Sequence, residues 1–556
     1  MKQAQKLDWK DLHVAYFSME IGLDAEIPTY AGGLGVLAGD TLRSAADLEL
    51  PVVGVTLLYR KGYFTQKITQ DGDQIEEDVS WQPEKLLKEL PVKVSVRIMG
   101  RDVKVRAWLH ELLGISGKKN PILFLDTDLP ENSDYDRTIT HHLYGHDEIY
   151  RLSQEAVLGI GGVRILDALG CTGLQKYHMN EGHSALLALE LSRKHPLDDV
   201  RERCVFTTHT PVPAGHDQFD RVLAESVLGD NIPENMKDIF IDNKLNMTYL
   251  GLYFSKYVNG VAKKHGEVAR DMFPGYHIES ITNGVHSRFW VSDPFSALFD
   301  RFIPGWSYDP FSLRYIMGIP KEFVWEAHQR SKEILINYVN GRYNAGMSQD
   351  TFTIGFARRA ATYKRGDMLF SDIARLVSIA EKYKIQIIFA GKAHPRDTEG
   401  KQVIKRIISG MKAVKDRIRV CYVEDYCMES AKMLVAGVDI WLNTPQRPKE
   451  ASGTSGMKAA HNGVPHFSTL DGWWLEGHIE NVTGWSIGSH PCNAKQSTHE
   501  EDVDDMYTKL EYVILPKFYN ERDSWIEVMR HAIALNGSFF NTHRMIQQYV
   551  LNAYFR

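Results

Sequence analysis

The chain has 556 residues, room for three or four domains at about 150 residues each or for two large α/β lobes. Its 71 acidic and 65 basic residues leave a formal charge of −6, which argues against a nucleic-acid binder or a polybasic membrane-docking protein, since both need a basic excess. With 43% hydrophobic and 24% charged residues, the composition is that of a folded globular chain and excludes large-scale disorder.

The N-terminal stretch MKQAQKLDWKDLH lacks the apolar run of a secretion signal. No uncharged run approaches the roughly 18 apolar residues of a membrane span. Strands are expected at His13–Phe17 and Val52–Tyr59. Between them lies TYAGGLGVLAGD (Thr29–Asp40), followed by the helical pattern Leu37–Leu48. GGLG lacks the full dinucleotide fingerprint GxGxxG. It reads as a helix N-terminus open to a ligand, or as a plain tight turn. Val92–Ile98 and Val103–Leu109, joined by MGRD, predict an inserted β-hairpin.

Further strands are expected at Ile122–Leu125, Tyr177–Asn180 and Val205–Thr208. The last two lead into histidine-bearing loops, Asn180-Glu-Gly-His183 and Thr208-His-Thr-Pro211. His178 and His183 are five apart, not the i, i+4 pair of HExxH, so a metal site is not expected. His183 reads as structural, and His209 as a neutral donor to a polar substrate. Pro, Gly and Trp around Ile303–Tyr308 and the long helical stretch Lys321–Ala345 place a lobe boundary between about Gly318 and Gln349. The expected lobes are 1–330 and 331–556.

In the second lobe Thr351–Ala357, Ile385–Gly391, Ile418–Val423 and Val438–Leu442 are short β-branched and aromatic runs. Amphipathic stretches, among them Lys401–Ala413 and Ser430–Ala436, separate them. This alternation predicts βαβ units on a parallel sheet. Chemistry in such sheets sits in the loops after the strands. After the first run come Arg358, Arg359 and Lys364, a cationic group suited to phosphate. After the last comes Glu450-Ala-Ser-Gly-Thr-Ser-Gly-Met-Lys458. Its small residues admit an anion, and a helix starting near Thr454 would put Lys458 one turn inside. That lysine suits a point charge on phosphate or a Schiff-base amine for a cofactor aldehyde. The same segment also reads as a turn closing a strand–helix junction. Trp473, Trp474 and Trp485, with Trp290 and Trp306, suit sugar rings or a core. The helical segment Ser524–Arg556 could pack on either lobe. The five scattered cysteines lack a CxxC and read as thiols in a reducing cytoplasm.

The segments AYFSMEIGL, TYAGGLGVLAGDTLRSAADL, GVTLLYRKGYFTQ, YRLSQE, FTTHTPVPAGH, VNGVAKKH, ITNGVHSRFW, RRAATYKRG, EDYCMESA and EASGTSGMK run from Ala15 toward Gly477. Together they resemble the α-glucan phosphorylases of the glycogen, starch and maltodextrin family, in their short bacterial or archaeal form. The resemblance implies an α/β fold of two Rossmann-like lobes facing a central cleft, the GT-B-type glycosyltransferase architecture. It implies pyridoxal phosphate on Lys458, with Gly453, Thr454, Arg358 and Tyr426 around the cofactor. By the same matching, Arg359 and Lys364 bind substrate phosphate. Gly33, Leu34, His209, Glu450, Ser452 and Gly453 face the reacting glucose, and Lys458, Arg359, Lys364 and His209 are the catalytic set. No metal is implied.

The implied reaction is reversible, retaining phosphorolysis of α-1,4-glucan from the non-reducing end to α-glucose 1-phosphate, in a cytoplasmic homodimer. In the family the cofactor's phosphate group exchanges a proton with inorganic phosphate. Two adjacent phosphates need clustered cations, which fits the loops above. No pair of hydrolase carboxylates stands out, which fits as well. The chain departs from the long enzymes at Ser455 and Gly456, where GTSGMK replaces GTGNMK. YGHD (Tyr144–Asp147) stands near their asparagine-bearing loop. Only twelve residues precede the first expected strand, so control by phosphorylation of an N-terminal extension is not expected.

Overall fold

The apolar runs pair into two large sheets in the computed structural model, which describes residues 8–145, 147–212, 215–233, 239–492 and 495–555. By internal contacts the chain divides into one unit of Met1–Phe64, Asp78–Thr282 and Thr542–Arg556, and a second of Thr65–Glu77 and Asn283–Asn541.

The first unit carries a nine-stranded sheet. Its order is Glu279–Ser280, Tyr257–Gly260, Cys204–Thr207, Lys176–Asn180, Val14–Ser18, Val52–Leu57, Lys119–Asp126, Arg101–Leu113, Lys88–Ile98. Pairing is parallel as far as Lys119–Asp126. The expected hairpin forms the antiparallel edge, longer at its outer ends than the sequence pattern suggests. The inner strands read as unbroken apolar runs because both faces are covered; Val14–Ser18 and Val52–Leu57 are buried at every position. Val53, Val55 and Leu57 join one core cluster, while Val14, Tyr16 and Val52 join another with Met545, Ile546 and Tyr549 of the C-terminal helix Thr542–Tyr549. That helix also ties in through buried polar contacts. Tyr549 and Thr207 hydroxyls lie 3.1 Å apart, and His178 Nδ1 lies 2.7 Å from the Tyr554 hydroxyl.

The second unit carries a six-stranded parallel sheet in the order Arg419–Val423, Ile385–Ala390, Phe352–Ala357, Ile440–Asn443, His466–Thr469, Gly484–Ile487. The four expected strands are present. The two beyond them escape a hydrophobic reading because each is four residues with Ser, Thr, His or Gly among them. Helices Thr398–Val414 and Met428–Gly437 fall where the amphipathic stretches predict, and Lys321–Tyr343 forms one long helix. Asp439 anchors that helix through Lys332 Nζ at 2.6 Å and His328 Nε2 at 2.9 Å.

The tryptophans, suited by type to sugar rings or a core, take the core. Trp290, Trp306, Trp473, Trp474 and Trp485 are all fully buried, so none offers an exposed stacking face to a sugar. Large aromatic area is best used where it leaves water, and these residues fill the second unit's interior. All five cysteines are free thiols, three of them buried. Among the described residues no helix is long and apolar enough to cross a membrane.

Candidate active site

Both sheets reverse their winding direction at one place, and ligands of open α/β sheets gather beyond the strand ends at such a switch point. In the second unit the reversal falls between Phe352–Ala357 and Ile440–Asn443. The first strand runs directly into Arg358 and Arg359, and the second into the loop toward Lys458. Arg358 donates to Asn443 Oδ1 at 3.1 Å and to Glu450 Oε2 at 2.5 Å. Lys364 Nζ reaches both oxygens of Glu450, at 2.9 and 2.7 Å. Burial alone would raise the Glu450 carboxyl, but the two cations hold it down at about 2. Only the loss of both cations would leave the Glu450 carboxylate buried without a counter-charge. Arg359 is exposed and lines a small cavity with Arg358 and Lys364.

The loop from Glu450 is braced from behind. Asp471 accepts from the Glu450 and Gly472 N–H groups, each at 2.9 Å, and Trp473 N–H donates to the Ser452 carbonyl at 2.9 Å. Burial pushes the Asp471 carboxyl up to about 7, with the charge of Glu450 adding to the rise. Gly453 sits at φ +87°, where a side chain would be strained. The helix Ser455–His461 then begins with Ser455 accepting from the Trp441 indole at 3.1 Å and lying 3.3 Å from Asn443 Nδ2. A Cβ on Gly456 would stand 2.7 Å from the His466 ring and 2.8 Å from Trp473. Serine then glycine therefore suits this helix start, which accounts for the departure from GTGNMK in terms of packing.

Lys458 is 7% exposed, with its amine 3.9 Å from the centre of the Trp290 ring. An amine held against an aromatic face in a buried site is poised for reaction with an aldehyde. Two buried polar atoms nearby in the loops, Arg358 Nε and Ser452 Oγ, have no hydrogen-bond partner among the described residues. A buried donor in that state calls for an acceptor. Lysine, unsatisfied donors and small-residue loop together fit a cofactor that carries an aldehyde and a phosphate. Tyr426, half-buried after Arg419–Val423, has its hydroxyl raised by burial and partly offset by Arg358.

In the first unit the winding reverses between Val14–Ser18 and Lys176–Asn180. Glu20, just past the first strand, accepts from the N–H groups of Ala31 and Gly32, and from the Tyr144 hydroxyl at 2.7 Å. This carboxylate fixes the glycine loop, and the helix Gly33–Asp47 starts from it. Gly33 is exposed and Leu34 half-buried, and a Cβ at Gly32 or Gly33 would meet nothing within 4 Å. Past the second strand, Asn180 Oδ1 accepts from His209 Nε2 at 2.6 Å. Glu181 accepts from His209 N–H at 2.7 Å and Thr210 Oγ1 at 3.0 Å. Glu181 itself stands at φ +77°, a strained position held by those contacts and by the Gly182 N–H at 3.0 Å. Burial lowers the His209 ring to about 3, so it is neutral. His183 turns instead to Asp217, 3.4 Å away, and burial likewise leaves it neutral.

The structure thus gathers Arg358, Lys364, Glu450, Ser452, Gly453, Thr454 and Lys458 around one switch point, with Arg359 and Tyr426 flanking it. Gly33, Leu34 and His209 lie around the other. Of the YGHD segment, His146 lies outside the described residues, as do Pro213 and Ala214 of FTTHTPVPAGH. Residue-level reading assigned no role to Glu20, Asn180, Glu181 or Asp471. The signal available was position alone, since the first three lie at or just past strand ends.

Residues 21–110 and 216–485 match the family model for carbohydrate phosphorylase. The chain belongs to the carbohydrate phosphorylase family. It is 38% identical to the maltodextrin phosphorylase of Thermococcus litoralis, over 97% of this chain and 70% of that protein. It is 34% identical to the glycogen phosphorylase of Mycobacterium bovis, over 97% and 70% respectively. To the glycogen phosphorylase of Aquifex aeolicus it is 35% identical, over 97% and 86%. Within this phosphorylase the family match covers the second-unit cluster and the glycine loop with Gly33 and Leu34, but not Glu20, Tyr144, Asn180, Glu181 or His209.

Proposed function

We propose that the chain is an α-glucan phosphorylase. It cleaves α-1,4-glucan reversibly from the non-reducing end with inorganic phosphate and releases α-glucose 1-phosphate with retained configuration. The observation that carries this reading is the second-unit cluster. Two cations meet on Glu450 beside an exposed arginine, a small-residue loop and a buried lysine on an aromatic face. The architecture in this reading is the GT-B type of two Rossmann-like lobes with a central cleft. The enzyme works in the cytoplasm, and a homodimer is its expected state.

Lys458 would hold pyridoxal phosphate covalently, with Arg358, Gly453, Thr454 and Tyr426 around it. When bound, that group supplies a phosphate able to exchange a proton with the substrate phosphate. Arg359 and Lys364 receive inorganic phosphate and offset repulsion between neighbouring anions, a role that electrostatic preorganisation makes effective in a buried site. Glu450 presents its ionised carboxylate to sugar hydroxyls while keeping Lys364 in place. In the first unit, Gly33 and Leu34 offer an approach without side-chain obstruction. His209, which gives its Nε2 proton to Asn180, keeps Nδ1 as an acceptor for a sugar hydroxyl. Inorganic phosphate protonates the departing glycosidic oxygen and then bonds to the anomeric carbon on the same face, which retains configuration.

The test is incubation of the purified protein with maltodextrin and inorganic phosphate, followed by phosphorus and proton NMR. Accumulation of α-glucose 1-phosphate is expected, with none from the Lys458→Ala variant. Free glucose, the β anomer, or equal turnover by the variant would overturn the reading.

A further inference from the structure

The segment Thr65–Glu77 comes from the first half of the sequence but belongs to the second unit. It forms a hairpin of two four-residue strands, Thr65–Ile68 and Gln74–Glu77. Such a hairpin is marginal on its own in water, so its order depends on what it docks against. Ile68 packs on the unit's core, but the hairpin also buries two glutamines, Gln66 at 1% and Gln74 at 8% exposure.

Both glutamines aim at loop backbone beyond the strands of the six-stranded sheet. Gln66 Nε2 donates to the Gly391 carbonyl at 2.8 Å and to Gln74 Oε1 at 2.9 Å. Gln74 accepts from Ala393 N–H and donates to the Ala393 carbonyl, both at 2.9 Å. Gln66 also makes a reciprocal pair with Asp425. Its N–H donates to Asp425 Oδ1 at 3.0 Å, and its Oε1 accepts the Asp425 N–H at 3.1 Å. Asp425 sits at φ +52°, costly for a non-glycine residue, and directly precedes Tyr426. Lys392, next to Gly391, pairs with the same carboxylate at 2.5 Å.

The clamped loop is in turn bonded to the arginine segment. Arg358 N–H donates to the Ala390 carbonyl at 3.2 Å, and Ala360 N–H to the Lys392 carbonyl at 2.9 Å. Arg359 is the residue between those two bonds. We infer that Gln66 and Gln74 make the Thr65–Glu77 hairpin a positioning element for the phosphate-handling loops, fixing the backbone on either side of Arg359 and before Tyr426. This rests on the reading that Arg359 receives substrate phosphate. Neither glutamine touches a proposed ligand residue's side chain. A buried amide left unpaired is costly enough to enforce the loop geometry it needs.

The test uses the holoenzyme with Gln66→Leu and Gln74→Leu, which keep size and remove the amides. KM for inorganic phosphate should rise about threefold to tenfold, the size of one or two neutral hydrogen bonds, with the KM for glucan within about twofold of the parent. Calorimetric titration with inorganic phosphate, without glucan, should show the same loss of affinity. Lys67→Ala, on the exposed ion pair with Glu77, is the control and should change nothing. If the leucine variants fail to fold, Lys401→Ala with Lys405→Ala loosens the hairpin from outside by removing its ion pairs with Glu76 and Asp73, and should shift phosphate affinity the same way. Unchanged phosphate affinity, or equal losses for phosphate and glucan, overturns the inference. Arg359→Ala run in parallel separates the two layers. If it weakens phosphate and the folded hairpin variants do not, the inference alone falls; if it does not, the phosphate reading falls and takes the inference with it.

Discussion

The two clusters occupy equivalent places, each beyond the strand ends where a sheet reverses its winding, yet their electrostatics are opposite. In the first unit every charge at the switch point is matched locally. Glu20 is taken up by two backbone N–H groups and a tyrosine hydroxyl, and Glu181 by N–H groups and a threonine. Its histidines, His178, His183 and His209, are held neutral, each lowered to about 3 by burial. At the second unit's switch point Arg358, Arg359, Lys364 and Lys458 outnumber Glu450. A neutral polyol is served by fixed dipoles and hydrogen-bonding side chains, whereas an anion needs uncompensated positive charge. In the proposed reading one scaffold position is filled twice, once for hydroxyls and once for phosphate.

Arg359→Ala breaks that comparison most severely. It should raise KM for inorganic phosphate by about 10- to 100-fold, the value of a lost charge-assisted hydrogen bond, with glucan affinity near that of the parent. Steady-state kinetics with each substrate varied in turn checks this; equal losses would mark the arginine as structural. Glu20→Ala probes the other side. Releasing the Ala31 and Gly32 N–H groups should weaken glucose 1-phosphate and glucan about threefold to tenfold while the affinity for inorganic phosphate holds. Glu20→Gln, which keeps an acceptor, should recover most of the loss.

The smallest effect concerns pH. Folded Asp471 keeps its proton up to about 7, whereas an unfolded chain releases it near the ordinary aspartate value. The folded state therefore binds more protons across that window, so this group's contribution to stability falls as pH rises toward 7 and levels off above it. Asp471→Asn should remove that falling component, seen as a difference from the parent in urea-denaturation stability measured against pH. The buried histidines of the first unit add a slope of the opposite sign below the ordinary histidine value, because the unfolded chain takes up protons there that the folded state refuses, so the Asp471 contribution is read as the difference between variant and parent. An unaltered slope in the asparagine variant would assign the titration elsewhere.

Much of the site was legible because its chemistry is local in sequence. EASGTSGMK announces itself through small residues ending in a lysine, and Arg358, Arg359 and Lys364 through their place after a strand-forming run. Glu20 was hidden, since a carboxylate two residues past a strand's end looks like any other charge until its N–H partners eleven and twelve residues on are seen. The tryptophans stayed ambiguous because the same aromatic surface serves a sugar or a core, and only burial decides. The hairpin at Thr65–Glu77 gave least away. Its glutamines carry no signal of their own, and no local pattern reveals partners more than 300 residues distant, at Gly391, Ala393 and Asp425. The strands His466–Thr469 and Gly484–Ile487 were illegible for a related reason, since four buried residues with polar members carry no periodic signal.

Borohydride reduction of the purified protein followed by peptide mass mapping tests the central claim most directly, because it needs no assumption about the glucan. The account predicts a pyridoxyl adduct on Lys458. A protein that yields no adduct there, even after incubation with pyridoxal phosphate, would contradict it.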